Sequence, residues 1–404
     1  MLLSHSHARP GNVSGPGVPG LDRAVDAEAG TPPGSGPASK LSVLVLSPDP
    51  RVTGGVTVFA EMMKAKLTGC KVTSFWNGSL EDGREGRLAA VWRVLVAPFR
   101  LARLVHREQF DVVHTNPSLT YKSAMRDALL LLSLRLIGYR RVLVYIHGWQ
   151  DHVAARIRRS PGLCRLTAWL LNGTAHVMVL APQFKQSLEG MGVEAGRITF
   201  TRTFFDGEEL TREGEDLPPP KQRNVLFMSR FVHEKGIFEL VEAFARIADE
   251  FPGVDLIMAG DGPERARLQE QVISLGLTDR VAFPGYVGGI EKTRLLRACS
   301  IYTLPTYLGE GMPIALLEAM AVGKPLLTAK AGAIPHIVSD PENGVILDAV
   351  TADAVETGLR RLLSDPEYCD EVGRRNAAYA WERFEARQVI ADIEKLYQQI
   401  ARCR

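Results

Sequence analysis

Residues 41–46 read LSVLVL, an unbroken apolar run rich in β-branched side chains, and the run ends in the turn-forming string Ser47-Pro48-Asp49-Pro50. Gly54-Gly55 then opens a helical pattern that lasts through Leu67. A buried strand, a glycine-containing loop and a helix, in that order, begin a parallel α/β unit. Further apolar strand candidates fall at 112–114, 142–146 and 177–180, separated by stretches with helical spacing at 88–105, 122–136 and 163–171. Strands apolar on both sides, alternating with amphipathic helices, predict a parallel sheet covered on both faces.

The alternation stops at 207–223, which is polar, acidic, aperiodic and contains Pro218-Pro219-Pro220, and this predicts an interdomain linker. It then restarts, with strands at 224–228, 254–258, 281–283, 301–304 and 325–328 and helices at 237–250, 264–275, 291–298 and 313–321. The expected architecture is two tandem Rossmann-like α/β domains, 41–206 and 224–382, whose strand C-termini face a shared cleft. Open α/β sheets bind ligands at that edge. A last helix within 383–404 is long enough to pack back across the first domain. A chain of 404 residues exceeds one ordinary core, in keeping with two domains.

Composition changes the picture at the N-terminus. Twelve of the thirty residues from 11 to 40 are Gly or Pro, with hardly any large apolar side chain, so residues 1–40 are expected to be a disordered tail. They lack the charged and apolar regions of a secretory signal. The longest apolar candidate for a membrane span, 128–137, is short and carries Arg135. Five scattered cysteines without a C-x-x-C pair predict reduced thiols, and together these features predict a cytoplasmic protein.

The net charge of +2 conceals an asymmetry, +8 over residues 41–210 and −6 over 211–404. That balance does not suit nucleic acid, and predicts two domains with different electrostatic partners. Residues 84–107 alternate arginines with Trp92, Val94, Leu95 and Phe99, and a second basic cluster holds Arg156, Arg158, Arg159 and Arg165. The two clusters fit either docking on an anionic membrane surface or an ordinary solvated basic face.

The densest candidate chemistry lies at 310–325, EGMPIALLEAMAVGKP. Gly311 and Pro313 make a loop that starts a helix, whose free N–H groups form an anion site. Glu310 and Glu318 supply carboxylates that can accept paired hydroxyl hydrogen bonds, as from a sugar ring or a ribose diol. Arg230 and Lys235, five residues apart on a strand-to-helix loop, fit an anionic group such as a diphosphate. His147 ends a strand at the cleft edge, and Gly260-Asp261-Gly262-Pro263 follows another strand.

The E-x7-E pattern of Glu310 and Glu318, with the surrounding Gly, Pro and Ala positions, resembles the signature of retaining family 4 glycosyltransferases of GT-B fold. The resemblance extends over essentially everything after residue 40. Ser229-Arg230 through Lys235-Gly236 resembles the family's G-R-x4-K-G, with Ser229 in place of Gly. The resemblance implies catalytic roles for His147, Arg230, Lys235 and Glu310. It implies donor contacts for Gly54, Gly55, Gly262, Tyr286, Val287, Gly311, Met312, Pro313, Ile314 and Glu318, with Glu318 at the ribose. The expected partners are a nucleotide-sugar donor and a glycan or lipid-linked acceptor used in envelope or exopolysaccharide assembly. No D-x-D pair occurs, so transfer is expected to need no metal, and no cofactor is expected beyond the donor itself. One departure is His336, where the family's G-G-x-P-E loop commonly has Glu. An epimerase of similar fold and a non-catalytic binding subunit are the rival readings.

Overall fold

The computed structural model describes residues 40–52, 54–78, 86–212, 223–307 and 309–402. The predicted tail, apart from Lys40, and the proline-rich part of the linker lie outside the described residues.

The first half runs β1 (Leu41–Ser47), α1 (Gly55–Lys66), β2 (Cys70–Trp76), α2 (Arg87–Glu108), β3 (Val112–Thr115), β4 (Ser118–Leu119), α3 (Tyr121–Leu136), β5 (Val142–Ile146) and β6 (Gly148–Trp149). It continues through α4 (Asp151–Arg158), α5 (Pro161–Leu171), β7 (His176–Val179), α6 (Pro182–Gly190), β8 (Ile198–Phe200) and α7 (Gly207–Arg212). Six of the strands form one parallel sheet in the order β2-β1-β3-β5-β7-β8, and β4 pairs with β6 beside it. Strands β3 and β5 are buried along their whole length, as a sheet covered on both faces requires.

The second half runs β9 (Arg223–Met228), α8 (Ile237–Ile247), β10 (Val254–Ala259), α9 (Arg265–Ser274), β11 (Val281–Gly285), α10 (Gly289–Ala298), β12 (Ile301–Leu304), α11 (Ile314–Ala321), β13 (Leu326–Ala329) and β14 (Gly344–Leu347). Three helices close the chain, α12 (Ala352–Ser364), α13 (Pro366–Arg383) and α14 (Ala386–Arg402). Its parallel sheet has the order β11-β10-β9-β12-β13-β14. The order reverses between β9 and β12, and ligands of such sheets bind in the crevice beyond the strand C-termini at that point.

Each half has its own apolar core, but the chain crosses between them twice. Phe205 and Leu210, at the first crossing, belong to the second core. Helix α14 returns Ala386, Val389, Ile390, Ile393, Tyr397 and Ile400 to the first core. The crossings run side by side: Phe205 N–H donates to the Phe384 carbonyl at 3.0 Å, and Ala386 N–H donates to the Phe205 carbonyl at 3.1 Å.

The sequence expectation also lacked β4, β6, β8, β14, α4, α6, α12 and α13, and three further differences have a plain physical cause. Strand β2 was not predicted because it is an edge strand with only Cys70 and Phe75 buried, and these are five residues apart, on opposite faces, so no strand period shows in the sequence. The predicted linker begins as a helix, α7, because the Asp206 carboxylate accepts from the N–H groups of Glu208 (3.0 Å) and Glu209 (3.3 Å). Its last residue, Arg223, already belongs to β9.

Candidate active site

Both cations of the strand-to-helix loop follow β9, and Glu310 follows β12, so they flank the point where the second sheet reverses its order. Lys235 ends a short 3-10 turn and is buried. Its ammonium hydrogen-bonds Glu310 Oε1, and the Thr306 hydroxyl donates to the same oxygen at 3.1 Å. The left-handed Gly236 makes this turn possible (φ 67°), because a Cβ there would lie 2.1 Å from the Pro305 carbonyl oxygen. Lys235 is therefore aimed at Glu310 by its backbone. Arg230 is exposed, with no carboxylate among the described residues within ion-pair distance.

The loop before α11 lies against the first half. A Cβ on Gly311 would stand 2.0 Å from the His147 carbonyl oxygen, and one on Gly309 would stand 2.1 Å from that of Trp149. These close approaches bring Glu310 and His147 to opposite sides of one contact. Met312 packs against both cores and Ile314 against the first, so both side chains help hold the halves together. Pro313 is the N-cap residue of α11, one position earlier than expected.

His147 sits in an aromatic enclosure, its ring centroid 4.1 Å from Tyr145 and 4.4 Å from Phe59. The Asn116 amide donates to the Leu46 carbonyl (3.0 Å), which turns its oxygen toward His147 Nε2 at 2.8 Å. Nε2 therefore carries the proton and Nδ1 is left as an acceptor. Burial, with a smaller contribution from His114, lowers the imidazole to about 3, so it is neutral at ordinary pH. Asn116 joins the ends of β1, β3 and β5 in this way, and no local motif singled it out.

Gly54 and Gly55 open α1 with nothing within 4 Å of either ideal Cβ. Gly54 is extended (φ 171°), so neither the fold's packing nor a left-handed turn accounts for it. Gly262 is different: a Cβ would lie 2.4 Å from the Phe231 carbonyl oxygen, so loop packing alone requires glycine. Tyr286 is exposed and Val287 packs on the second core. His336 hydrogen-bonds the Gln183 side-chain oxygen at 2.6 Å, and the Gln183 amide donates to the Gly332 carbonyl at 2.8 Å. The departure at His336 thus falls on a contact between the halves.

Glu318 lies on the second turn of α11, is 3% exposed, and receives the Lys292 ammonium at 2.6 Å. Lys292 in turn lies 3.2 Å from Glu209 of α7. Burial pushes the Glu318 carboxyl up, and Lys292 is the influence that opposes it. The sequence reading found neither Lys292 nor Glu209, because partners supplied by separate elements leave no local spacing to find.

Two Rossmann-like domains meeting at such a cleft define the GT-B glycosyltransferase architecture. HepE from Anabaena, solved with UDP and glucose, superposes with a TM-score of 0.68 at 19% identity, covering 89% of this chain and 100% of that one. Sucrose-phosphate synthase from Thermosynechococcus elongatus gives 0.70 at 20% identity, covering 89% and 99%. The family model for glycosyl transferases group 1 matches residues 211–379, and that for the glycosyl transferase 4-like domain matches 34–202. The chain belongs to the group 1 glycosyltransferases. Among similar proteins is the N-acetyl-alpha-D-glucosaminyl L-malate synthase of Bacillus anthracis, 24% identical over 75% of this chain and 78% of that protein. Another is the GDP-mannose-dependent alpha-(1-6)-phosphatidylinositol monomannoside mannosyltransferase of Mycolicibacterium smegmatis, 27% identical over 88% and 97%.

Proposed function

We propose that this glycosyltransferase moves a sugar from a nucleoside diphosphate sugar to a hydroxyl of a lipid-linked or polysaccharide precursor, with retention at the anomeric carbon and without a metal ion. The observation that carries this reading is the Lys235–Glu310 pair at the reversal point of the second sheet, on a loop whose next residue, Gly311, meets the His147 backbone of the first half. As the glycosidic bond breaks, negative charge grows on the departing diphosphate. Lys235, Arg230 and the N-terminus of α11 supply positive potential for it. An arriving diphosphate competes for Lys235, and Glu310 is then released to accept hydroxyls of the sugar. His147 Nδ1 offers one further acceptor to the same ring.

The lipid-linked acceptor has a separate support. Leu88, Trp92, Leu95 and Phe99 are exposed along one stripe of α2, with Trp92 at 69% and Phe99 at 77%. Arg103 and Arg107 share the helix, and Arg156, Arg158, Arg159 and Arg165 lie on and around α4 and α5. Apolar side chains beside arginines suit an anionic bilayer surface, where each near-surface cation contributes about 1 kcal/mol. No described helix is long and apolar enough to cross a membrane. The Mycolicibacterium relative is named for a lipid acceptor. The enzyme would then work at the cytoplasmic face of the membrane.

A thermal-shift screen over nucleotide sugars tests the donor. A nucleoside diphosphate sugar should raise the melting temperature, and product analysis by NMR should show the donor's anomeric configuration retained. Failure of every nucleotide sugar to stabilise the protein overturns the reading, and an inverted product overturns retention.

A further inference from the structure

Each glutamate of the E-x7-E pair is met by a lysine from another element. Lys235 is part of a recognisable motif, whereas Lys292 is not. Lys292 is the fourth residue of α10 and Glu318 the fifth of α11, the helices that lead into and out of β12, which pairs with β9 where the sheet order reverses. Among the described residues Lys292 is the only hydrogen-bond donor to the Glu318 side chain. The other ionisable groups that face Glu318 do not help it ionise. Glu209 and Asp206, in and just before α7, disfavour its charge, and the buried Tyr302 phenol of β12 is itself pushed well up by burial. A carboxylate can accept two hydroxyl hydrogen bonds and still take one from an ammonium, but a protonated acid turns one oxygen into a donor. Without Lys292, no other group among the described residues keeps a carboxyl this buried in its accepting form.

We propose that Lys292 is a positioning residue for the donor: it holds Glu318 as an oriented carboxylate, so that the remaining lone pairs receive the two hydroxyls of the donor's ribose. This rests on the reading of α11 as the ribose-binding helix, and it adds a residue outside the E-x7-E signature on which that carboxylate depends. Glu209 is the second carboxylate on the Lys292 ammonium, at 3.2 Å.

The test is calorimetric binding of UDP and GDP, and of their 2′,3′-dideoxy forms, to the full chain between pH 6 and 8. The wild type should prefer the ribonucleotide over its dideoxy form by about tenfold or more, with little change across this range. Lys292→Met should weaken ribonucleotide binding at least tenfold at pH 6, recover part of the loss as pH rises and Glu318 ionises, and leave dideoxy binding unchanged. Lys292→Arg should restore the preference. Should Lys292→Met fold poorly, the double variant Lys292→Met with Glu318→Gln removes the unpaired carboxyl. It should lose the preference for the ribonucleotide at every pH. A Lys292→Met protein that keeps the wild-type preference, or loses affinity for both forms equally at every pH, overturns the proposal. A wild type that binds the nucleotides without any preference for the ribose overturns the ribose reading itself, and one that binds none overturns the donor assignment as well.

Discussion

The two sides of the cleft hold their functional groups by opposite means. On the first side His147 is neutral, stacked on Tyr145, packed at a tilt against Phe59, and fixed by the amide of Asn116. On the second side Lys235, Glu310, Lys292 and Glu318 are charged and fixed by one another. A neutral side chain in an aromatic enclosure can be oriented by packing alone, whereas buried charges must be paired. The difference separates a rigid surface from an exchangeable one. A charged ligand can replace one member of an ion pair, but it gains little by displacing a packed imidazole.

Breaking the charged side should have the largest effect. Lys235→Ala is expected to lower kcat/KM by about 10²–10³, the usual loss when one donor to a developing anion is removed. It should also destabilise the protein, because Glu310 loses its counter-ion. Adding Glu310→Gln should restore the melting temperature without restoring turnover. Steady-state kinetics and thermal denaturation of the single and double variants check this, and near-normal turnover in Lys235→Ala would sink the assignment.

The neutral side should show itself in acid. Burial lowers both His114 and His147 to about 3, below the ordinary value near 6.5. The unfolded chain therefore binds the extra protons, so their contribution is fully present above pH 6.5 and is lost progressively as pH falls toward 3. The slope approaches about 1.4 kcal/mol per pH unit for each histidine. Urea unfolding at pH 7.5, 6 and 5 measures it; a flat profile would contradict neutral burial.

Two glycines sharpen the comparison on a smaller scale. Gly311→Ala sets a methyl group against the His147 carbonyl and should cost about 1–3 kcal/mol. Gly55→Ala meets open space and should change stability by less than about 1 kcal/mol, in the stabilising direction. If Gly55 lies against the donor, its variant should still lose turnover, which separates a binding role from a structural one. The smallest effect on stability is expected for Trp92→Asp on α2, within about 0.5 kcal/mol. The same variant should lose sedimentation with anionic vesicles, and unchanged sedimentation would remove the membrane surface from the proposal.

Much of the fold could be read from period alone, since buried parallel strands and amphipathic helices write their pattern locally. Strand β2 escaped because an edge strand is half solvated, and α7 because one carboxylate cap starts it inside an acidic stretch. At the site, the residue types of the loops were readable, but the direction of each side chain was not. Lys235 looks like a free cation in sequence and is paired with Glu310 in the fold. Met312 and Ile314 look like donor contacts and pack against the cores. Gly262 looks like a ligand loop and is required by Phe231. Asn116, Lys292 and Glu209 act through elements far apart in the chain, and only their assembly reveals them.

Helix α14 has a further consequence. It follows the whole of the second sheet, yet Tyr397 meets His114 inside the first core, and Ile390, Ile393 and Ile400 complete that core's surface. During synthesis the first half therefore emerges long before the piece that finishes it. A ribosome stalled anywhere in the second half presents an N-terminal sheet with an uncovered apolar groove, however complete that half looks in sequence. The enzyme's two halves are sequential in the gene but are finished in the opposite order, and removing α14 should damage the half that is made first.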